Sequence, residues 1–202
     1  MIAVFIKEHL SKDKKLKQII DRVLLSPPIP GNDLYYNLMR AITGQQLSVK
    51  AAATIWERVL NLFPQRYPEL NLILAMDIEQ LRGAGLSYQK AGYLKNIAQF
   101  GLDETLDYKK LKKKSDLELI EYLTKIKGVG RWTVEMILMF SLLHEDILPL
   151  DDIGIQNAMK RTYKLETTGK QLRIDIEKIA RKWQPYRTFA CLYLWRSLEN
   201  MP

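Results

Sequence analysis

The chain has 202 residues, and 31 Lys and Arg against 23 Asp and Glu give a formal net charge of +8 at pH 7. Hydrophobic residues make up 47% of it, which is enough for a core and excludes a disordered chain. A single cysteine, Cys191, excludes an intrachain disulfide, a zinc ribbon and a Cys-ligated iron–sulfur cluster. No apolar stretch reaches the roughly 18 residues of a membrane span, and residues 1–10 lack the basic start of a secretory signal. We expect an intracellular protein with a basic surface; charge alone leaves nucleic-acid binding open.

Apolar residues recur at helical spacing along nearly the whole chain, including residues 4–6, where a short strand is the less favoured alternative. Capping side chains predict helix starts, in chain order, at Ser48, Asp77 with Gln80, Ser87, Ser115 with Glu118, and Thr168 with Gln171. Gly101 is expected to end one helix, and Pro185 to begin the last. The pattern predicts an all-α protein of about ten short helices.

Residues 12–17 (KDKKLK) and 109–114 (KKLKKK) are dense in lysine. Their simplest interpretation is a solvated helix face or loop, and direct contact with phosphate is the less favoured alternative. In either case they add a long-range attraction to DNA that salt would weaken.

Residues 123–133 (LTKIKGVGRWT) place a Gly-Val-Gly turn between two predicted helices. Glycine permits backbone angles that other residues resist, and it lets main-chain N–H groups come close to a partner. The second helix is expected to begin near Arg131, so its N-terminal amides form a site for an anion such as a DNA phosphate. The candidate DNA-binding residues are Gly128, Val129, Gly130, Arg131 and Thr133.

Four further stretches accompany this hairpin: residues 41–48 (AITGQQLS), 85–91 (GLSYQKA), 148–152 (LPLDD), and 183–190 (WQPYRTFA) followed by Trp195. In this order, with the hairpin, they resemble the helix-hairpin-helix DNA glycosylases, most closely the AlkA-type 3-methyladenine DNA glycosylases. The resemblance covers residues 33–198. Each motif alone is weak, but the set in this order is specific.

The resemblance implies two helical subdomains with the active cleft between them. Residues 33–150 would form the central subdomain with the hairpin, and residues 1–32 plus 151–202 the second. The implied activity is that of a monofunctional DNA glycosylase, which flips out an alkylated base such as 3-methyladenine or 7-methylguanine and hydrolyses its N-glycosidic bond in base excision repair. The implied partner is double-stranded DNA containing damaged bases. We expect a monomer without membrane association, in the cytoplasm (nucleoid) of a prokaryote or the nucleus of a eukaryote.

The resemblance assigns the catalytic role to Asp152, twenty residues beyond Trp132, with Ile155 as the aliphatic residue three further on. A carboxylate there would stabilise the positive charge that grows on the sugar and orient or deprotonate a water molecule. Asp151 is the neighbour that could be mistaken for it, because one aspartate can cap the helix while the other faces the cleft. Plain N-capping is the competing explanation for both.

Trp132 stands where relatives that also cut the DNA backbone have a lysine nucleophile, so we expect base removal without lyase activity. An indole instead attracts a flat cationic purine, and Trp195 matches a second aromatic position beside the catalytic carboxylate. Met136 occupies a pocket position that is Tyr in some relatives, so the preferred lesion stays open. Trp56 and Trp183 are predicted core residues.

The turn at Gln45, Gln46 and Leu47 matches the family segment that fills the gap left by a flipped base. Family wedges are often apolar, so either Gln46 or Leu47 could insert. The alternative is that the two glutamines only satisfy backbone groups of the turn.

The implied reaction requires no cofactor, and no iron–sulfur cluster is expected. Many hairpins of this kind hold a sodium or potassium ion between backbone carbonyls and a phosphate. The corresponding carbonyls here are those of Thr124, Ile126 and Val129.

Three alternatives stay open at this point. The same fold could act on deaminated or other damaged bases, or the chain could be a non-catalytic DNA-binding module that retains the hairpin. A helical transcription regulator is the least favoured, because neither a dimer helix nor a ligand-binding half is evident.

Overall fold

The computed structural model describes residues 2–26 and 28–199. In this part of the chain the regular elements are all helical, which confirms the all-α prediction and makes residues 4–6 part of a helix. The α-helices are α1 (Val4–Leu10), α2 (Lys14–Ile20), α3 (Leu34–Gly44), α4 (Val49–Leu60), α5 (Leu70–Ala75), α6 (Ile78–Gly83), α7 (Tyr88–Asp103), α8 (Tyr108–Leu111), α9 (Asp116–Leu123), α10 (Arg131–Phe140), α11 (Ile153–Tyr163), α12 (Gly169–Ala180) and α13 (Arg187–Glu199). Residues Arg181–Trp183 form a short 3-10 helix. Among the described residues, no helix has the length and apolarity needed to cross a membrane.

Most of the predicted helix starts form as expected. The hydroxyls of Ser48 and Ser87 accept hydrogen bonds from backbone N–H groups of α4 and α7, and the capping boxes at Asp77 and Ser115 are complete. Thr168 precedes α12, but its side chain makes no capping bond.

Two predicted helix boundaries are wrong. Helix α7 continues through Gly101 to Asp103, because Gly101 serves packing: a Cβ there would lie 2.7 Å from Leu70 Cδ2 of α5. Helix α13 begins at Arg187, two residues beyond Pro185.

The chain divides into two compact units, a central unit of Pro30–Leu142 and a terminal unit of Met1–Ile29 with Leu143–Pro202. The second boundary lies before the expected residue 150, because residues that follow Leu142 bond to α13. The Thr188 hydroxyl donates to the His144 carbonyl at 2.7 Å and accepts from the Ile147 N–H at 3.0 Å. Asp146 also pairs with Arg187 at 2.7 Å.

Helix α7 is the main packing element of the central unit, where it contacts α3, α5 and α6. Helix α3 also packs on α4 and α10, and α9 packs on α10. The buried aliphatic stripes are Leu34, Leu38 and Ile42 on α3, Ala91, Leu94, Ile97 and Ala98 on α7, and Val134, Ile137 and Leu138 on α10. Burying each large aliphatic side chain contributes about 1.5–3 kcal/mol, so these stripes hold α3, α7 and α10 in place.

The terminal unit is built on α2, α11 and α13, which pack on one another, with α1 against α2 and α12 against α11. Its core includes Leu16, Met159 and Tyr193, and Cys191 is buried as predicted for a small core residue. Trp183 is fully buried, and Trp56 of the central unit is nearly so, which confirms both as core residues.

Asp13 is a buried charged residue in the terminal unit. Its Oδ1 caps α2 by accepting the Lys15 N–H at 3.0 Å, and its Oδ2 accepts from the Trp183 indole at 3.0 Å and the Tyr163 hydroxyl. The Lys182 ammonium lies 2.9 Å from Oδ2. Burial alone would raise the pKa of Asp13, but these hydrogen bonds and the ammonium charge hold that pKa below its ordinary value.

Candidate functional site

Asp152 lies immediately before α11 and is half-buried. Its Oδ1 accepts two hydrogen bonds, each 2.8 Å long, from the Ile155 backbone N–H and from the Trp195 indole N–H. The first bond caps the helix, and the second ties the carboxylate to α13. Sequence analysis placed Trp195 beside Asp152, and the structure brings the two side chains into direct contact.

Gly154 allows this contact. A Cβ on Gly154 would lie 2.9 Å from Trp195 Cδ1 and 3.0 Å from Asp152 Oδ1. Side chains do not approach one another that closely, so a larger residue would displace the indole or the carboxylate.

The expectation that one aspartate caps α11 while the other faces the cleft is wrong in one respect. Asp152 both caps α11 and meets Trp195, so the cap and the catalytic candidate are one residue. The exposed Asp151 pairs with Arg173 of α12 at 2.6 Å. A solvent-exposed ion pair of this kind contributes little to stability. Of the two aspartates, Asp152 is therefore the one whose carboxylate is positioned by other parts of the fold.

The hairpin turn between α9 and α10 is fixed on α7. Gly128 has φ of +104°, and a Cβ there would lie 2.2 Å from the ring of Tyr93. The Asn96 amide donates to the Lys127 carbonyl at 3.0 Å. The backbone conformation and the close packing therefore both require glycine at 128.

Gly130 has a different role from the one that sequence analysis gave it. Its φ of −86° is open to any residue, and a Cβ there would meet nothing within 4 Å. As the N-cap of α10 it supplies no side-chain hydrogen bond. The first turn of α10 therefore receives no hydrogen bond from an N-cap side chain, and a side chain at position 130 would meet no neighbour.

Two of the predicted DNA-binding residues have side chains that are buried and not exposed to solvent. Val129 is 3% exposed, and its N–H donates to the Ile126 carbonyl at 2.9 Å. Thr133 is 2% exposed, and its hydroxyl accepts from the Gln45 amide at 2.9 Å. Both side chains are held in the core of the central unit because the helix that carries the hairpin must pack on its neighbours. The exposed Arg131 pairs with the buried Glu135 at 2.9 Å.

Trp132 and Met136 are one turn apart on α10 and therefore lie on the same side of that helix. Trp132 is 37% exposed and Met136 is half-buried, in contrast to the buried Val134, Ile137 and Leu138. These two side chains form a partly accessible apolar surface beside the hairpin.

The segment Gln45–Val49 follows α3 and is anchored at its first residue. The Gln45 side-chain amide donates to the Thr133 hydroxyl at 2.9 Å, so of the three wedge candidates Gln45 is the one bound to α10. Gln46 is exposed in the left-handed conformation with φ of 57°. Leu47 is 39% exposed and Val49 is 90% exposed.

The side chain of Lys90 on α7 binds backbone carbonyls at the start of the same segment. Its ammonium donates to the Thr43 carbonyl at 2.9 Å and to the Gln45 carbonyl at 2.7 Å, and burial lowers the pKa of this amine. Sequence analysis missed the roles of Lys90, Gly154 and Glu135. Of these only Gly154 carries a local signal, as a small residue two positions after Asp152.

A helical fold with a glycine hairpin and a carboxylate at the start of a later helix agrees with the helix-hairpin-helix class that the sequence predicts. The family described as HhH-GPD superfamily base excision DNA repair protein matches residues 39–185, and the chain belongs to this family. DNA-3-methyladenine glycosylase 1 of Schizosaccharomyces pombe is 34% identical over 186 residues, which cover 91% of this chain and 81% of that protein.

Solved structures agree with this assignment. A Schizosaccharomyces pombe 3-methyladenine DNA glycosylase in complex with abasic DNA is similar with a TM-score of 0.86 and 33% identity, covering 97% of each chain. A DNA-3-methyladenine glycosidase from Bacillus halodurans is similar with a TM-score of 0.80 and 34% identity, covering 98% of this chain and 91% of that one. The predicted family and fold class are confirmed.

Proposed function

We propose that this protein is a DNA glycosylase that excises alkylated bases of the 3-methyladenine and 7-methylguanine type, as a step of base excision repair. The observation that carries the proposal is the Asp152 carboxylate, held by the Ile155 N–H and the Trp195 indole. The names of the relatives, which describe 3-methyladenine glycosylases, support it.

In the proposed reaction the bond between C1′ of the sugar and the base nitrogen breaks, and its electron pair leaves with the base. An alkylated purine is cationic, so it departs as a neutral molecule and needs little acid catalysis. Asp152 stabilises the positive charge on the sugar and orients the water whose oxygen adds to C1′. The proton released from that water passes to Asp152 and then to solvent, and the products are an abasic site and the free base.

The two hydrogen bonds to Asp152 Oδ1 fix the direction of the carboxylate before substrate arrives. Preorganised charge costs no rearrangement during the reaction, and removing such a group typically costs about 10²–10³ in rate. Trp195 acts on Asp152 in this proposal through its N–H group, in addition to the aromatic surface that it offers the base.

The surface of Trp132 and Met136 would favour a flat cation over a neutral base. An indole face attracts a cation by about 0.5–2 kcal/mol, and a thioether adapts to rings of different shape. The competing substrate class is the deaminated bases, which are neutral. A panel of duplexes, each with one lesion, separates the two, and faster release of hypoxanthine than of 7-methylguanine would overturn the cationic class.

We also propose that base removal proceeds without cleavage of the DNA backbone, because an indole at position 132 offers no amine for a Schiff base. Borohydride treatment of the protein with abasic DNA tests this directly. The expected result is no covalent complex under conditions in which a bifunctional glycosylase is trapped, and a trapped complex would contradict the proposal.

The hairpin would bind a phosphate of the damaged strand at the N-terminus of α10, where N–H groups and the helix dipole favour an anion. In this proposal the turn carbonyls of Thr124, Ile126 and Val129 would hold a sodium or potassium ion. The Ile126 carbonyl accepts one N–H, from Val129, and a carbonyl oxygen has a second lone pair for an ion. Such an ion would add positive charge beside the phosphate.

Flipping a base out of the duplex costs about a few kcal/mol, and the gap must be filled. With Gln45 bound to Thr133, Gln46 and Leu47 remain as the proposed wedge. The exposed position of both and the left-handed turn at Gln46 support this role.

The decisive experiment is base release from alkylated genomic DNA, with the freed bases identified by mass. We expect 3-methyladenine and 7-methylguanine in the supernatant. A non-catalytic DNA-binding module, which is the competing function, would bind the same DNA and release nothing.

A further inference from the structure

Lys90 lies in the first turn of α7, and its side chain extends to the end of α3. Its ammonium donates to two carbonyls, those of Thr43 at 2.9 Å and Gln45 at 2.7 Å. The two acceptors flank Gly44, the last residue of α3, so a single cation binds both sides of the point where the helix ends.

This position satisfies a local need of the chain. The last carbonyls of a helix have no intrahelical donor, and a cation there also interacts favourably with the helix dipole. Gln46, which follows Gln45, adopts φ of 57°, a left-handed conformation that is unfavourable for a residue other than glycine and persists only when the surroundings support it.

The surroundings impose it from two sides. Lys90 holds the backbone of Gln45, and Thr133 of α10 holds the side chain of Gln45 at 2.9 Å. The residue before Gln46 is thus fixed to both α7 and α10, and the exposed pair Gln46 and Leu47 projects from a fixed base.

We propose that Lys90 is a positioning residue for base flipping: it holds the Gln45–Leu47 turn so that Gln46 and Leu47 enter the duplex as a preformed wedge. Lys90 itself touches neither the base nor the sugar. The inference rests on the proposed function, since a wedge matters only to a protein that extrudes bases.

A preformed wedge has a specific kinetic consequence. It lowers the cost of opening a paired duplex, and it contributes nothing where the lesion is already unpaired and unstacked. Loss of Lys90 therefore slows excision from a fully paired duplex and spares excision from a lesion within an unpaired bubble.

Lys95 provides a matched control on the same helix. It is also half-buried, and its ammonium donates to the Leu74 carbonyl near the end of α5 at 3.0 Å. Lys90→Met and Lys95→Met thus remove the same type of bond between a lysine and the end of a helix, but only the first releases the wedge segment.

The experiment measures single-turnover release of 7-methylguanine from a paired duplex and from the same sequence with the lesion in a bubble. We expect Lys90→Met to lower the ratio of the paired rate to the bubble rate by about ten- to a hundredfold. Lys95→Met should leave the ratio unchanged, and Lys90→Arg, which keeps the charge and the donors, should restore most of it. An equal loss on both substrates, which leaves the ratio unchanged, would indicate a purely structural role and overturn the inference, as would wild-type rates on both.

A double-mutant cycle tests whether Lys90 acts through the wedge. In a Gln46→Ala, Leu47→Ala background, Lys90→Met should have no further effect on the ratio, and a full additive loss would contradict the proposal.

A second readout does not depend on excision. 2-Aminopurine placed beside an abasic analogue in a duplex brightens when it is unstacked, so saturating wild-type protein should brighten it and Lys90→Met should not. If wild-type protein releases no base at all, the proposed function fails, and this fluorescence comparison still decides the role of Lys90. Equal brightening by both proteins would overturn it.

Discussion

Two aspartates in the terminal unit occupy the same kind of position and serve different ends. Asp13 caps α2 and Asp152 caps α11, and each accepts a hydrogen bond from a tryptophan indole. Asp13 is 6% exposed and meets the Lys182 ammonium at 2.9 Å. Asp152 is half-buried and lies beside a glycine that makes room for the indole.

The difference shows that an N-cap aspartate with a tryptophan partner is not by itself a catalytic arrangement. A carboxylate paired with a cation in the core has its charge neutralised, and it stabilises the fold. The Asp152 carboxylate is oriented by two N–H donors, and a fixed orientation is what the proposed stabilisation of a cationic transition state requires. Substitutions that separate these two uses test the comparison.

The largest effect is expected for Asp152→Asn. The amide oxygen can still accept from Ile155 and Trp195, so the fold and DNA binding should persist while excision falls by about a hundred- to a thousandfold. Single-turnover excision and affinity for a duplex with an abasic analogue measure the two properties. Asp151→Asn, which breaks only the surface pair with Arg173, is the control; an unchanged rate in Asp152→Asn would remove Asp152 from the mechanism.

Asp13→Asn should instead reduce stability and leave the chemistry intact. Because the folded-state pKa of Asp13 lies below its ordinary value of 3.8, the carboxylate stabilises the fold above that pH and loses this contribution as the pH falls through the folded-state pKa. We expect a loss of about 2 kcal/mol in the free energy of unfolding at pH 7 and convergence with wild type as the pH falls below the folded-state pKa of Asp13.

Urea unfolding at several pH values measures this difference. Asp21→Asn, which removes the exposed pair with Lys17, is the matched control and should change stability by less than about 1 kcal/mol. A pH-independent difference between Asp13→Asn and wild type would contradict a role for the Asp13 charge.

Gly154→Ala perturbs the Asp152 environment without removing the carboxylate. The added methyl would lie 2.9 Å from Trp195 Cδ1, so the indole must shift, and excision should slow by about tenfold through misplacement of Asp152. Excision rate and tryptophan fluorescence report the change. Gly92→Ala, in open space on α7, should leave both unchanged; wild-type rates in Gly154→Ala would show that the Trp195 contact is dispensable.

The smallest effect is expected for a substitution at the start of α10, where the N-cap residue is Gly130 and not an aspartate. Gly130→Asp would give α10 the side-chain cap that α2 and α11 already have, which should raise stability by a few tenths of a kcal/mol. The same carboxylate would occupy the proposed phosphate site and weaken DNA binding by about fivefold, since a charge at a helix terminus is worth roughly 1 kcal/mol.

Thermal unfolding and fluorescence anisotropy at several salt concentrations measure these opposite changes. Gly92→Asp adds the same charge elsewhere and is the control. Unaltered DNA affinity in Gly130→Asp would make the hairpin a structural element only.

The sequence predicted the helices and the hairpin because their signals are local. Capping boxes span four residues, and apolar stripes repeat every turn, so Asp77 and Ser115 could be identified without the tertiary structure. Predictions failed where packing decided. Gly101 lies inside a helix, where the absence of a side chain leaves room for Leu70. The bond between the Gln45 amide and Thr133 likewise has no local signal in the sequence.

The candidate site was only partly predictable for the same reason. The family motifs identified Asp152, and the contact partner Trp195 is 43 residues away. No local pattern distinguishes Lys90 from Lys95, although only Lys90 reaches the end of α3.

By itself the sequence determined the class of fold, the position of the glycine turn and the family of the protein, since these depend on residues that are neighbours along the chain. Only the tertiary structure decided that Asp152 is the aspartate bound by Trp195, that Gln45 is the glutamine bound to α10, and that Lys90 is the lysine bound to the exposed turn. Those choices depend on single hydrogen bonds between residues tens of positions apart, such as the 88 that separate Gln45 from Thr133, and folding alone brings such residues together.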